Sequence, residues 1–393
     1  MNLLSSTSIY GFYTLISRIL GYIRDILIAI FLGTSIYADA FFVAFRLPNT
    51  FRRLFAEGTF NAAFIPSYAK ENLKNKKDGK IFADDVFNLL LYALTVLVII
   101  VEIFAPLVVY LIAPGFAQDA NKLNLAIEFT RITFPFLLIV SLSSMLSGIL
   151  NTNNKFAAAA AAPIVLNIIL IFTLFFSVYL DLNIAKNLSI GVTLAGIVQF
   201  LILIFFTKKF YFPSLKISFK LRNNIKIFFK KLLPSIFSAG ITQINILIGT
   251  IIASFQTGAV SYLYYADRIY QINLAIAGIA VGTVVLPNLS KKIKNNDKNS
   301  VNILQNKSLE LSLALSLPAA FGLFIASQEI VNSLFGYGSF TERDVVNTSL
   351  ALLYFAIGVP AFSLIKVLSN FYFARDNTKI PFYISFISMI INI

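Results

Sequence analysis

The chain has 393 residues, 58% of them hydrophobic and only 13% charged, with a mean hydropathy of +0.80 and a formal net charge of +14. So little polar surface excludes a soluble globular protein and implies an all-α polytopic membrane protein. Cysteine and histidine are both absent, which removes disulfides, thiolate chemistry and the commonest general base and metal ligand; no cofactor or metal is expected.

Runs of about 20 apolar residues predict ten complete spans and part of an eleventh. They cover 8–33, 36–66, 84–113, 125–150, 156–180, 188–207, 232–254, 261–288, 303–328, 345–372 and 380 onward. The first fifteen residues carry no Lys or Arg and no small-residue cleavage site follows them, so the first helix is expected to be retained. Loops 67–83, 151–155, 208–231, 289–302 (with Lys307) and 373–379 hold 21 of the 32 Lys and Arg, whereas the intervening loops hold only Lys122, Lys186 and Arg343. The positive-inside rule therefore places the N-terminus and the basic loops in the cytoplasm. The net charge reads as a topology signal, aided by anionic membrane lipids, and requires no nucleic acid.

Spans 1–6 and 7–11 read as two copies of one unit. The second span opens with Tyr37–Ala38–Asp39 and the eighth with Tyr265–Ala266–Asp267; each ends in a proline, Pro66 or Pro287, with a lysine four residues on. The third span closes LIAPGF (111–116) and the ninth LFGYGSF (334–340). This predicts two pseudo-symmetric helical lobes related as a parallel repeat: an N-terminal lobe over 1–207, a basic cytoplasmic linker over 208–231 and a C-terminal lobe over 232–393. The second copy lacks its last helix and most of its fifth, so a truncated chain is expected. A two-lobed transporter of this kind places its substrate site between the lobes.

Eight basic residues lie in or at the edges of spans: Arg18, Arg24, Arg46, Arg52, Arg53, Arg131, Arg268 and Lys366. Seven are arginine, the fork that takes phosphate or carboxylate bidentately, whereas lysine dominates the loops. Asp39, Arg46 and Arg53 recur at seven-residue intervals with Glu57 four beyond, so they share one helix stripe beside Asn49 and Arg52. Arg18 and Asp25 share a face of the first span. Two readings compete. Pairs such as Arg18 with Asp25, Arg53 with Glu57 or Asp267 with Arg268 serve as structural stitches, Lys366 snorkels, and Arg131 anchors at the interface. Alternatively the arginines line a hydrated cavity. Six cavity-side positives face four negatives (Asp25, Asp39, Glu57, Asp267), and that surplus favours an anionic partner such as a diphosphate. Asp84–Asp85 would suit a metal–diphosphate but also serve as ordinary helix-dipole partners. No P-loop, dinucleotide loop or nucleophile elbow occurs.

The segments SRILGYIRD, YADAFFVAFRLPNTFRRLFAEGTFNAAFIP, LIAPGF, RITFPFLLI, ILNTNN and SYLYYADR resemble the MurJ (MviN) lipid II flippase family of the MOP transporter superfamily, from the first residues to the end of the chain. The resemblance implies a fourteen-span fold whose last helices, forming a lipid-tail groove, are missing here. It implies a non-enzymatic flippase that acts as a monomer in the inner (cytoplasmic) membrane, in peptidoglycan synthesis, moving lipid II to the outer leaflet by alternating access. It also implies a headgroup site at Arg18, Arg24, Arg52 and Arg268, with Asp39, Arg53, Glu57 and Lys366 at further charged family positions. The sodium site of some relatives is not expected, since span 232–254 contains no acid. A related MOP-type exporter or oligosaccharide-lipid flippase is the alternative, and a polyprenyl-diphosphate transferase or phosphatase a remote one.

Overall fold

Helix α1 (Leu3–Leu32) carries three charged residues, Arg18, Arg24 and Asp25. Its 30 residues reach about 45 Å at 1.5 Å per residue, more than the hydrocarbon core of a bilayer. It ends at Gly33 (φ +57), the left-handed position that glycine takes without Cβ strain. The structure is a computed structural model that describes residues 3–56, 59–215, 222–275, 281–295, 297–375, 377 and 379–392.

The chain continues through α2 (Ile36–Ala56), α3 (Thr59–Lys74), α4 (Lys76–Ile103), α5 (Ala105–Ile112), a 3-10 turn (Pro114–Gln118), α6 (Ala120–Thr133), α7 (Phe136–Thr152), α8 (Phe156–Tyr179) and α9 (Ile184–Thr207). There follow α10 (Asn223–Ser254), α11 (Ala259–Leu274), α12 (Val281–Lys294), α13 (Lys298–Ile325), α14 (Ser327–Phe335), α15 (Glu342–Phe373) and α16 (Lys379–Asn392). Among the described residues there is no strand, and the fold is all-α. Among the described residues six segments are long and apolar enough to cross a membrane: α4, Ala120–Thr152, α8, α9, α13 and α15. Helices α1 and α2, which carry Arg18, Arg24, Asp25, Asp39, Arg46 and Arg52, are not among them.

Several predicted spans are built from two helices. The span predicted over 84–113 breaks at Phe104 (φ −97, ψ 21), just before Pro106 at the start of α5. The span predicted over 303–328 breaks at Ala326 (φ −105, ψ 23), and each break residue donates its N–H four residues back, to Ile100 O and Gly322 O. Helices α4 and α13 thus end in similar local conformations.

By internal contacts the chain forms two units, Met1–Ile28 with Ile36–Gln256, and Ala29–Ser35 with Thr257–Ile393. In the first, α10 enters an aromatic cluster: Phe228 lies 5.8 Å from Phe60 and 6.0 Å from Phe82, ring to ring, with Phe64 and Tyr68 stacked alongside. The connection from α9 is pinned to α4, because Asp84 Oδ1 accepts from Tyr211 Oη (2.9 Å) and from Ser214 N (3.1 Å). Asp85 lies 3.5 Å from Arg222. Among the described residues no cluster of three acids, His or Cys suggests a metal. Burial, then the Asp84 charge beside it, pushes the Tyr211 phenol well above its ordinary pKa, so it stays a donor. Tyr211→Phe removes one donor from a buried carboxylate and is expected to cost about 1–2 kcal/mol, read as a lower midpoint of thermal unfolding in detergent.

In the second unit Ser308, Ser312, Ser316 and Ala320, four residues apart on α13, are all buried and form a small-residue seam that lets α15 approach closely.

The turns after α5 and α14 each meet the end of a distant helix. In the first unit Gly115 N donates to Ser254 Oγ (2.9 Å) at the end of α10, and a Cβ on Gly115 would lie 2.4 Å from the Ser254 and Phe255 backbone. In the second unit Ser339 N donates to Ile30 O (2.7 Å) and Ser339 Oγ to Phe31 O (3.2 Å), capping the end of α1. The turn after α5 thus closes on the end of α10, and the turn after α14 on the end of α1.

Candidate functional site

Arg24 is 6% exposed and Asp25 2%, both on a helix whose other residues are largely apolar. Arg24 Nε and Nη2 donate to the same Asp25 oxygen, Oδ1, at 3.0 and 2.6 Å. Its Nη1 donates to Asn167 Oδ1 of α8 at 2.9 Å, and Asn167 Nδ2 returns a hydrogen bond to Ser17 O of α1 at 2.9 Å. A neutral amide and a carboxylate thus hold the guanidinium from two sides. Arg18, two turns earlier, is exposed.

Asp39 is fully buried at the start of α2, and Lys122 Nζ of α6 lies 2.6 Å from its Oδ2. The Lys122 ammonium also sits 4.2 Å above the Phe116 ring. Sequence had placed Lys122 in a loop between spans; at 4% exposure it is instead a buried cation. Further along α2, Arg46 Nη1 donates to Thr250 Oγ1 of α10 (2.7 Å), and Arg52 Nε to Asn49 Oδ1 (2.9 Å). The Arg53 side chain and Glu57 lie outside the described residues.

The second unit holds its own set. Arg268 of α11 stacks its guanidinium 4.5 Å from the Tyr264 ring and donates from Nη2 to Tyr264 Oη (2.8 Å). Asp267 accepts from Gln271 Nε2. Lys366 is exposed on α15. Asp344, buried at the start of α15, accepts from Thr34 Oγ1, Tyr262 Oη and Thr341. Of the residues singled out in the sequence, Arg24 meets Asp25 and Arg52 meets Asn49, whereas Asp39 and Arg46 meet Lys122 and Thr250.

Sequence reasoning missed Asn167 and Thr250. A lone asparagine in IVLNIIL was the available signal, since an amide in hydrocarbon needs a partner. Chemically the first unit offers two buried arginine and lysine sites already balanced by carboxylates, together with two arginines that donate to neutral oxygens.

Comparison with known proteins gives a consistent result. A family model for lipid II flippase MurJ matches residues 28–393. The "Probable lipid II flippase MurJ" of Rhizobium meliloti (strain 1021) is 43% identical over 401 residues, covering 100% of this chain and 74% of that relative. A solved "Lipid II flippase MurJ, inward closed conformation" is 30% identical, with a TM-score of 0.85, and covers 97% of this chain and 79% of its own. An inward-facing multidrug resistance MATE family transporter of the MOP superfamily shares the fold at 13% identity and a TM-score of 0.74, over 95% of this chain and 84% of its own.

Proposed function

Because this chain belongs to the lipid II flippase MurJ family, we propose that it carries lipid II from the cytoplasmic to the outer leaflet of the cytoplasmic membrane by alternating access. The family is one of transporters, and moving an intact lipid needs no covalent step. The protein works as a monomer with its N-terminus in the cytoplasm, where the basic loops put it.

Arg18, Arg24 and Arg52 of the first unit hold the diphosphate headgroup, with Arg53 and Glu57 at neighbouring positions of α2 and Asp39 supporting them through Lys122. Arg268 and Lys366 serve the same cargo from the second unit's helices. The observation that carries this reading is Arg24, a 6% exposed guanidinium kept in an apolar helix at a cost of several kcal/mol, which the capture of a phosphate explains. Outward carriage of an anion gains about 2.3 kcal/mol per charge for each 100 mV of inside-negative potential.

The test is lipid II exposure on the outer face of cells depleted of their own flippase and supplied with the intact protein or its Arg24→Ala variant. Exposure with the first and its loss with the second, at equal membrane abundance, is the expected result. Equal exposure from both would reduce Arg24 to a structural charge. No exposure from well-inserted intact protein would favour a different cargo.

A further inference from the structure

We infer that residues 208–215, the strap that leaves α9, form a docking surface for an anionic phospholipid, whose phosphate meets Lys208 and Lys209 while its acyl chains meet Phe205, Phe210 and Phe212. The site goes beyond the proposed transport, since none of these residues belongs to the cargo set.

The course of the strap is fixed from its inner side. Helix α9 ends at Thr207, whose carbonyl accepts from Phe210 N (2.8 Å) and Tyr211 N (2.9 Å). Beyond that turn residues 211–215 are not helical. Tyr211 is buried and donates from Oη to Asp84, Ser214 N donates to the same carboxylate oxygen, and Asn88 Nδ2 donates to Ser214 O (2.8 Å). Both backbone polar groups of Ser214 are therefore committed to α4, and Pro213 before it has a fixed φ. A strap held this firmly loses little freedom when something binds its outer side.

That outer side combines rings and cations. Phe212 is 60% exposed and Leu215 73%, with Phe210 exposed beside them. The helix before the strap is one of the segments able to cross a membrane, and it exposes Leu201 and Phe205, four residues apart on one face. Lys208 Nζ lies 4.2 Å over the Phe205 ring, so its ammonium caps that same apolar face, as a lysine does at headgroup depth. Among the described residues neither Lys208 nor Lys209 has a carboxylate partner.

Charge names the partner. From 208 to 231 the sequence has eight Lys or Arg and no Asp or Glu, so the field around the strap is positive throughout. A connector that merely crossed water would gain nothing from exposed phenylalanines. An acidic protein surface would use the lysines and leave Phe205, on the exposed face of a membrane-crossing helix, without a role. An anionic phospholipid uses both, with its phosphate at the ammonium groups and its chains against the rings.

The chain contains no tryptophan, so Phe212→Trp places a single fluorophore on the strap. The full chain carrying it is reconstituted in phosphatidylcholine bilayers. Its emission is followed as that lipid is replaced by phosphatidylcholine or phosphatidylglycerol brominated near the top of the acyl chains. Both are expected to quench, brominated phosphatidylglycerol at about threefold lower mole fraction, a preference that shrinks in high salt. Lys208→Gln with Lys209→Gln should keep the quenching and erase the preference. Leu201→Trp, two turns inside α9, controls for insertion and is quenched by brominated phosphatidylcholine. Emission from Phe212→Trp that neither lipid quenches, while Leu201→Trp is quenched, puts the strap in water or against a protein and overturns the inference. Quenching without preference overturns it too, as does a preference that survives loss of both lysines. Should Phe212→Trp not reconstitute, Phe210→Trp gives the same readings. Transport does not enter the measurement, so its outcome is independent of the cargo reading.

Discussion

Lys122→Met is expected to leave little folded protein. Its ammonium lies 2.6 Å from Asp39 Oδ2, with side-chain exposures of 5% and 0%, so the substitution takes the countercharge from a buried carboxylate. Breaking one side of such a pair costs about 3–5 kcal/mol, a large share of the roughly 5–15 kcal/mol by which a domain is stable. The Phe116 ring beneath Lys122 loses its cation as well. Adding Asp39→Asn to Lys122→Met removes the uncompensated negative charge of the pair and should recover most of the loss, since neutralising both partners is far milder than neutralising one. Yield of monodisperse protein and the unfolding midpoint of the single and double variants in detergent measure this. A single variant as stable as its parent would show that Asp39 finds another partner.

Gly338→Ala should be nearly as damaging. Gly338 has φ +62, a conformation that costs an L residue about 1–2 kcal/mol, and a Cβ there would lie 2.4 Å from Ile30 O. That oxygen accepts from Ser339 N, so relieving the clash breaks the hydrogen bond that ends α1. Gly33→Ala meets the same difficulty from the facing strand of backbone, with φ +57 and a Cβ 2.3 Å from Ser339 O. Each is expected to lower stability by about 3 kcal/mol or more, and the two effects should not add, because they spoil one contact. Gly322→Ala is the control: nothing lies within 4 Å of its added Cβ, it is helical, and the change should be neutral or slightly stabilising. Equal midpoints for Gly338→Ala and Gly322→Ala would show that the turn is not rigidly held.

Hydropathy alone found the plain spans. The prediction of 156–180 meets α8 at Phe156–Tyr179, and that of 188–207 meets α9 at Ile184–Thr207 to within four residues. It did not find the division of 84–113, because apolar content is the same on both sides of a break; Pro106 was the local signal. Arg24 was legible because an arginine inside an apolar helix is costly whatever surrounds it. Its tether was not, since Asn167 is 143 residues away and one amide in an apolar run announces a need without naming a partner. Lys122 failed for the opposite reason. Its place between two predicted spans suggested water, while the carboxylate that buries it lies 83 residues earlier on α2.

The reciprocal closure of the two turns bears on how the protein is made. Ser339, which caps α1 at Ile30 and Phe31, follows Phe31 by 308 residues, and Ser254, which receives Gly115 N, follows that glycine by 139. A ribosome therefore delivers the first helix to the membrane long before the residue that completes its end exists. Until then its terminal carbonyls must be satisfied by water, headgroups or the insertion machinery. Assembly cannot finish from one end to the other. The end of the first-made helix waits for Ser339, and a nascent chain halted before Ser254 holds neither contact.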